Sequence, residues 1–457
     1  MLLNQTVSLL NDSFAGVFAQ KRTRERAVEL SMGTLCSFGK RTISRSICAV
    51  GRQQKDWSAD YKLFSRSPWH EDQLFDPVIR DYLARYPDGP IRMAVDDTTL
   101  ARGGRHILTA FWQRDALSPP FHVNLIYGLR FMQASLLYPH YQQGDYSARS
   151  MPIRFVESPA VKKPGKRASE QEKRLYREVK KKQNLSFQGL EVIKSARRSF
   201  DIYGAAGRDV LAAVDGSLCN KTTFKNELDR VHLVGRCRKD ARLCFPAPPG
   251  SRRKYNKETF TPEEIRKDEQ IEWHQENIYF GGQWRTIRYK QLNGVLWRRG
   301  AGVRKLRLIV IAPVPYKLSP NAKRNYREPA YLLSTDCDSE AGILIQCYFD
   351  RWQIEVNHRE EKSTLGVGEA QVWSEKSVPR QPAFAVACYS LLLLSALKAF
   401  GPGRGSDFVV LPKWRRKAKR PSALDLITLL RKEINETSVS NCLAHRLSQN
   451  IVPYAYT

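Results

Sequence analysis

Tyr348, Arg351, Glu355 and Lys362 stand at offsets 0, 3, 7 and 14 within a helical stretch, Glu340–Leu365. At about 100° per residue they form one stripe roughly 60° wide. One Tyr, two cations and one Glu do not make a core stripe. Such a row can be a salt-bridged surface, since pairs at i, i+4 are common there. It also suits a site where an acid binds metal while its neighbours grip phosphate. Phe349, Trp352 and Val356 lie off the stripe and can face the core, while Glu360 and Glu361 read as solvated.

Two further acids end apolar strands: Asp97 follows Ile91–Val95, and Asp215 follows Val210–Val214. In α/β folds ligands gather at the carboxyl ends of strands. Aspartates also end strands because their side chains satisfy turn backbone. Asp96 adjoins Asp97, and strand alternation points the two to opposite faces, so one of them serves. Three carboxylates in a basic protein suggest phosphoryl transfer with two metal ions. Mg²⁺ takes hard oxygen ligands and keeps several waters, so a few carboxylates and the substrate phosphates suffice. Two such ions about 4 Å apart activate the attacking oxygen and stabilise the leaving one. The acids are separated by 118 and 140 residues, so the fold must assemble them.

The rest of the composition agrees with a polyanionic partner. The 457 residues carry 75 Lys and Arg against 46 Asp and Glu, a net charge of +29, which points first to nucleic acid. Apolar residues make up 42% and charged residues 26%, ordinary for a soluble globular protein. The nine cysteines form no C-x-x-C pair, which argues against a disulfide framework or a structural zinc and for free thiols in a reducing cytosol. Met1–Gln20 has polar residues scattered through its apolar positions and reads as no signal peptide. The apolar run Ala383–Leu397 falls short of the roughly 20 residues that span a bilayer and reads as a buried core helix. No membrane partner is expected. The glycine clusters lack P-loop spacing, so no nucleotide cofactor is implied.

The elements that must position these residues divide the chain into five parts. Residues 1–88 read as a helical, DNA-binding domain. Within it Arg26–Gly33 and Thr42–Val50, with Arg41 and Arg45 beside them, resemble a helix-turn-helix, or else a small bundle with a wet basic face. Residues 89–238 read as the first part of an α/β catalytic core, with strands at Ile91–Val95, His122–Leu129, Arg130–Leu137 and Met151–Val156. Residues 239–336 read as a β-rich insertion, 337–400 as the second part of the core, and 401–457 as a basic linker with a C-terminal helix, Ser422–Glu433. Lys162–Arg198 holds thirteen Lys and Arg against four Glu, and Gly401–Arg420 seven against one Asp. Both stretches suit phosphate contact, and both can also be solvated surface.

Tyr348-x2-Arg351-x3-Glu355-x6-Lys362 resembles the Y-R-E-K signature of bacterial insertion-sequence transposases of the DDE class. Asp97 in Val95-Asp-Asp-Thr-Thr99 and Asp215 in Ala213-Val-Asp-Gly-Ser217 resemble the other two acids of that triad, and the family pattern favours Asp97 over Asp96. The resemblance covers about Ile91–Phe400. It implies an RNase H-like mixed sheet flanked by helices and interrupted by the β-rich insertion. It implies cut-and-paste transposition, in which metal-dependent cleavage at transposon ends precedes strand transfer into target DNA, in this branch often through a hairpin intermediate. Asp97, Asp215 and Glu355 would bind two Mg²⁺, for which Mn²⁺ can substitute. Tyr348, Arg351 and Lys362 would hold DNA phosphates. Hairpin chemistry would need an aromatic to stack on an extruded base; Trp297 and Trp284 in the insertion are candidates, and a packing role is the more common one for either. The partners implied are double-stranded DNA, at the transposon ends and the target, and a second copy of the chain in a homodimeric DNA complex in the bacterial cytoplasm, associated with the nucleoid. A structure-specific nuclease on the same fold and a catalytically inactive, transposase-derived DNA-binding protein are the alternatives.

Overall fold

The computed structural model of the chain describes residues 1–104, 106–115, 118–119, 121–142, 145–317, 321–403, 414 and 420–436. Cys442 and most of the second basic segment, including Lys413, lie outside the described residues. The chain opens with helices α1 (Leu2–Ala15), α2 (Lys21–Cys36), α3 (Ile43–Ala49), α4 (Ser58–Ser65) and α5 (Asp76–Arg85). Thr42 caps α3, its hydroxyl accepting from the Arg45 N–H. Between α2 and α3 the backbone turns at Gly39, with φ at 65°. The two helices meet at Gly33, where an added Cβ would stand 2.3 Å from the Ser46 carbonyl oxygen. Gly33→Ala is therefore expected to destabilise the protein by about 1–3 kcal/mol through overpacking. A chemical-denaturation midpoint equal to the wild type's would show that the helices part freely.

The sheet is built from β1 (Ile91–Ala101), β2 (Phe111–Arg114), β3 (Leu125–Gln142) and β4 (Asp145–Glu157), followed after α6 (Glu170–Lys182) and α7 (Leu185–Phe200) by β5 (Val210–Val214), α8 (Lys221–Phe224) and β6 (Val231–Arg236). β3 runs antiparallel to both β4 and β1, while β1, β5 and β6 are parallel neighbours. The order β4-β3-β1-β5-β6 is that of an RNase H-like sheet. Val210–Val214 is buried at every position, as a central parallel strand covered on both faces must be. The two strands expected at His122–Leu129 and Arg130–Leu137 form a single long one, β3.

Beyond β6 come α9 (Pro262–Lys267), β7 (His274–Phe280), β8 (Gln283–Leu296), β9 (Lys305–Ile311), the short pair β10 (Pro315–Tyr316) and β11 (Asn325–Tyr326), and β12 (Ala330–Ser334). β12 pairs with β6, and β9, β8 and β7 follow it outward, completing a ten-stranded sheet. Apart from the β10–β11 pair, the strands of 239–336 thus extend the central sheet. The helices α10 (Ala341–Asp350), α11 (Trp352–Ser363), α12 (Ser377–Phe400) and α13 (Ala423–Glu436) close the described chain.

Alternation sorts the strand residues between two cores. Ala94, Leu211 and Ala213 pack with Leu344, Ile345 and Cys347 of α10 and Ile354 of α11. Met93, Val95, Ala212 and Val214 belong to the other core, with Val192 and Ile193 of α7. That core runs on to α12, where Phe384 packs on Phe14 and Phe64 at ring-centroid distances of 6.0 and 5.4 Å. Helix α12 is long and apolar enough to cross a membrane, but 83% of its apolar window is buried, as expected of a core helix. Residue Glu433 of α13 accepts hydrogen bonds from the Leu2 and Leu3 amides at 3.1 and 2.7 Å, so the last described helix caps the first.

Candidate active site

The strand register decides which acids meet. Val95 of β1 pairs with Val214 of β5 in a parallel ladder, so the next residues along, Asp96 and Asp215, stand side by side at the carboxyl end of the sheet. Both share the face of Ala94 and Ala213, the one covered by α10 and α11, because side chains alternate along a strand. Glu355 reaches the same place from the first turn of α11. The helix expected over Glu340–Leu365 is two helices, broken at Arg351, where the backbone stays close to helical (φ −49°, ψ −33°). The stripe therefore survives the break. The Arg351 guanidinium lies 5.7 Å from the Tyr348 ring centroid and bonds to Glu355 one turn on.

Arg351 joins the acids. Its Nη1 donates to Asp96 Oδ2 at 3.1 Å, and its Nη2 donates to Glu355 Oε1 at 3.1 Å and lies 3.8 Å from Asp215 Oδ1. Its side chain is 10% exposed, so these contacts are little screened. Burial pushes the Asp96 carboxyl up to about 7, with Arg351 opposing and Asp215 reinforcing the rise. Glu355 is raised for the same reasons, burial first, against Arg351. Burial also lifts Asp215, but the Ser217 N–H and Arg351 outweigh it and hold that carboxyl below its ordinary value. Asp215 Oδ2 accepts the Ser217 N–H at 3.0 Å, so this acid also serves the turn-capping role that strand-ending aspartates often have.

Asp97, expected as the first acid, points the other way. Its Oδ2 accepts from Arg130 Nε of β3 at 2.7 Å, and only its backbone N–H turns to Asp96, donating to Oδ1 at 2.8 Å. The pleat is the cause: one residue along a strand is the opposite face. The acid that shares Arg351 with Asp215 and Glu355 is Asp96. Two cations unremarked in the sequence also come close. Arg130 holds Asp97, and the exposed Arg236 ends β6 beside the Asp215 turn and acts on Tyr348 electrostatically. Lys362 is exposed and lies within the field of Glu361, Asp115 and Asp97.

The other expected site residues lie apart from the three acids' shared guanidinium and make contacts of their own. Arg41 is buried; its Nη2 donates to the Thr364 carbonyl at 3.2 Å and its backbone N–H to Glu369 at 2.6 Å, which ties the α2–α3 turn to the chain after α11. Arg45 is exposed, and its Nη1 donates to the Phe38 carbonyl at 3.0 Å. Trp297 packs edge-on against Phe224 at 6.1 Å and lies directly over Gly300. Trp284 sits among Tyr146 and Tyr279. Trp352, expected in the core, is 59% exposed one residue from Arg351. Glu360 and Glu361, expected in solvent, are buried. Glu360 accepts from Tyr389 Oη at 2.6 Å and from the Ala423 N–H at 3.1 Å.

Carboxylate oxygens are the hard donors that divalent ions such as Mg²⁺ take, so the chemistry of the trio fits such an ion. As the side chains stand, their common partner is the guanidinium. Among the described residues no three carboxylate, imidazole or thiol groups are already arranged around one ion.

Residues 13–302 match the family model of the DDE superfamily endonucleases, a span that holds Asp96 and Asp215 and more than half the chain. The chain belongs to the DDE superfamily endonucleases, enzymes of the transposase and nuclease type that act on DNA. No curated protein matches it.

Proposed function

We propose that the chain is a DDE transposase that cleaves DNA at transposon ends and joins them to target DNA by a cut-and-paste route. The convergence of Asp96, Asp215 and Glu355 on one guanidinium, from three distant elements, carries this reading. Asp96 takes the place first expected for Asp97. The three carboxylates would hold two divalent ions, Mg²⁺ or Mn²⁺. Bound there, such ions activate the attacking oxygen and stabilise the leaving one in an in-line displacement. Once ions took the acids, Arg351 would turn its two donors to a phosphate, while Lys362 would offer a point charge and Arg236 a second guanidinium. Tyr348 supports Arg351 through its ring face. The helix α6 has no buried residue and carries Lys173, Arg174, Arg177, Lys180, Lys181 and Lys182, which suits phosphate contact along the DNA. Two copies of the chain would act on the two ends together.

The test is incubation of the protein with DNA that borders its coding region, in Mg²⁺, Mn²⁺ or a chelator. Metal-dependent cleavage at the borders together with joining of a precut end supports transposition. Cleavage without joining supports a structure-specific nuclease. DNA affinity without cleavage in either metal supports an inactive DNA-binding protein.

The raised Asp96 carboxyl gives this reading a pH signature. With its carboxyl raised to about 7, the group holds a proton more readily near neutral pH, and an ion takes its ionised form, so binding releases a proton. Ion affinity is expected to fall by about tenfold for each unit below pH 7 while one proton is coupled. Calorimetric titration with Mg²⁺ across that range checks it. A pH-independent affinity would remove Asp96 from the ion's ligands.

A further inference from the structure

A cleft of about 1190 Å³ opens between the turn after β1 and the segment after α11, with Lys40, Arg102, His106, Leu108, Glu369 and Trp373 among its walls. One of its walls continues the strand that carries Asp96. Asp96, Thr98, Leu100 and Arg102 share one face of β1, and six strand residues cover about 20 Å. The segment after α11 packs on the same strand, with Gly368 so close to Leu100 that an added Cβ would stand 3.1 Å from the Leu100 Cβ.

The cleft combines an aromatic platform with unused donors. Trp373 is 73% exposed and Leu108 is 93% exposed, large apolar surfaces to leave in water. Arg102 Nη1 donates to the Ala370 carbonyl at 2.7 Å and to Gly368; its Nε and Nη2 are buried without a hydrogen-bond partner, and Glu157 acts on the group electrostatically. Buried donors left unpaired are costly, and an anion at the cleft would satisfy them. Of the two carboxylates present, Glu369 is engaged by the Arg41 amide, which leaves Glu375 at the rim against Lys40 and Arg102.

We propose that this cleft binds an unpaired strand of the DNA held at the acids, with a base stacked on Trp373 and phosphates on Arg102 and Lys40. A base inside a duplex cannot lay its face on a side-chain ring, so the platform selects an unpaired nucleotide. The proposal rests on the reading of the acids as a DNA-cleaving site and adds the path of the strand beyond them.

The probes are a short oligothymidylate and a blunt duplex of mixed sequence, bound to the full chain in a chelator so that no cleavage occurs. Trp373→Ala is expected to weaken oligothymidylate binding by about five- to a hundredfold, the effect of losing one stacked base, and to change duplex affinity less than about twofold. Arg102→Gln is expected to lower the salt slope on the oligothymidylate by about 0.7, one phosphate contact on a single strand. Because Arg102 also ties down the 368–370 backbone, Arg102→Lys is the companion variant, and it is expected to keep the slope. Wild-type affinity in Trp373→Ala, or equal losses on both probes, would overturn the proposal. Discrimination by a protein that never cuts DNA would sink the endonuclease reading alone, and cutting without discrimination would sink the cleft alone.

Discussion

Asp96→Asn is expected to slow metal-dependent DNA cleavage by about a thousandfold or more, whereas Asp97→Asn stays within about tenfold of the wild type. A thousandfold corresponds to about 4 kcal/mol of transition-state stabilisation. The contrast follows from one step along a strand. Asp96 lies beside Asp215 on the α11 face and shares Arg351 with it; Asp97 lies on the other face and pairs with Arg130. Losing the Asp97–Arg130 pair removes an ion pair with side chains 16% and 32% exposed, a class worth about 0–1 kcal/mol. Single-turnover rates of both variants on the same end DNA decide the matter. The reverse order of rates would return the first acid to Asp97 and require β1 to present its other face.

Arg351→Ala is expected to act twice. Without added metal it leaves three neighbouring carboxylates with no shared cation. Breaking a buried pair costs about 3–5 kcal/mol; here Asp215 and Glu355 are 39% and 34% exposed, so about 2 kcal/mol is expected. Mg²⁺ should recover most of that loss, because the ion supplies the missing positive charge, and the Mg²⁺-induced rise in melting temperature should exceed the wild type's. Cleavage should nevertheless fall at least a hundredfold, since the proposed paired donors for the developing phosphate charge would be gone. Arg351→Lys keeps the charge without the fork and should fall between. A melting temperature that ignores Mg²⁺ in Arg351→Ala would separate the guanidinium from the ion site.

The legible part of this site was its helix. Four residue types at helical spacing announce the stripe, and the break at Arg351 leaves it intact because the backbone there stays near-helical. The strand ends carry a signal of their own. Both strands end in Ala-Val-Asp, at Ala94-Val95-Asp96 and Ala213-Val214-Asp215, and parallel neighbours aligned by those repeats put Asp96, not Asp97, beside Asp215. What could not be read depends on distant partners. Glu360 looks solvated along its own helix and is buried by Tyr389 and the start of α13. Arg41 looks like a helix-turn-helix cation and is buried, with its guanidinium on the Thr364 carbonyl and its backbone amide on Glu369, both more than three hundred residues away. The strands of 239–336 showed their alternation, but alternation does not say which sheet edge a strand joins, and the β6–β12 pairing decides that. Trp297 had a local warning, since the glycine three residues on leaves its ring room to lie flat on the turn.

The most direct test of the three-acid site is the cleavage rate of border DNA in Mg²⁺ by the wild type and by Glu355→Gln, which keeps the shape of the side chain and removes its charge. The account predicts cleavage by the wild type and a rate at least about a thousandfold lower in the variant. Equal rates in the two proteins would contradict it.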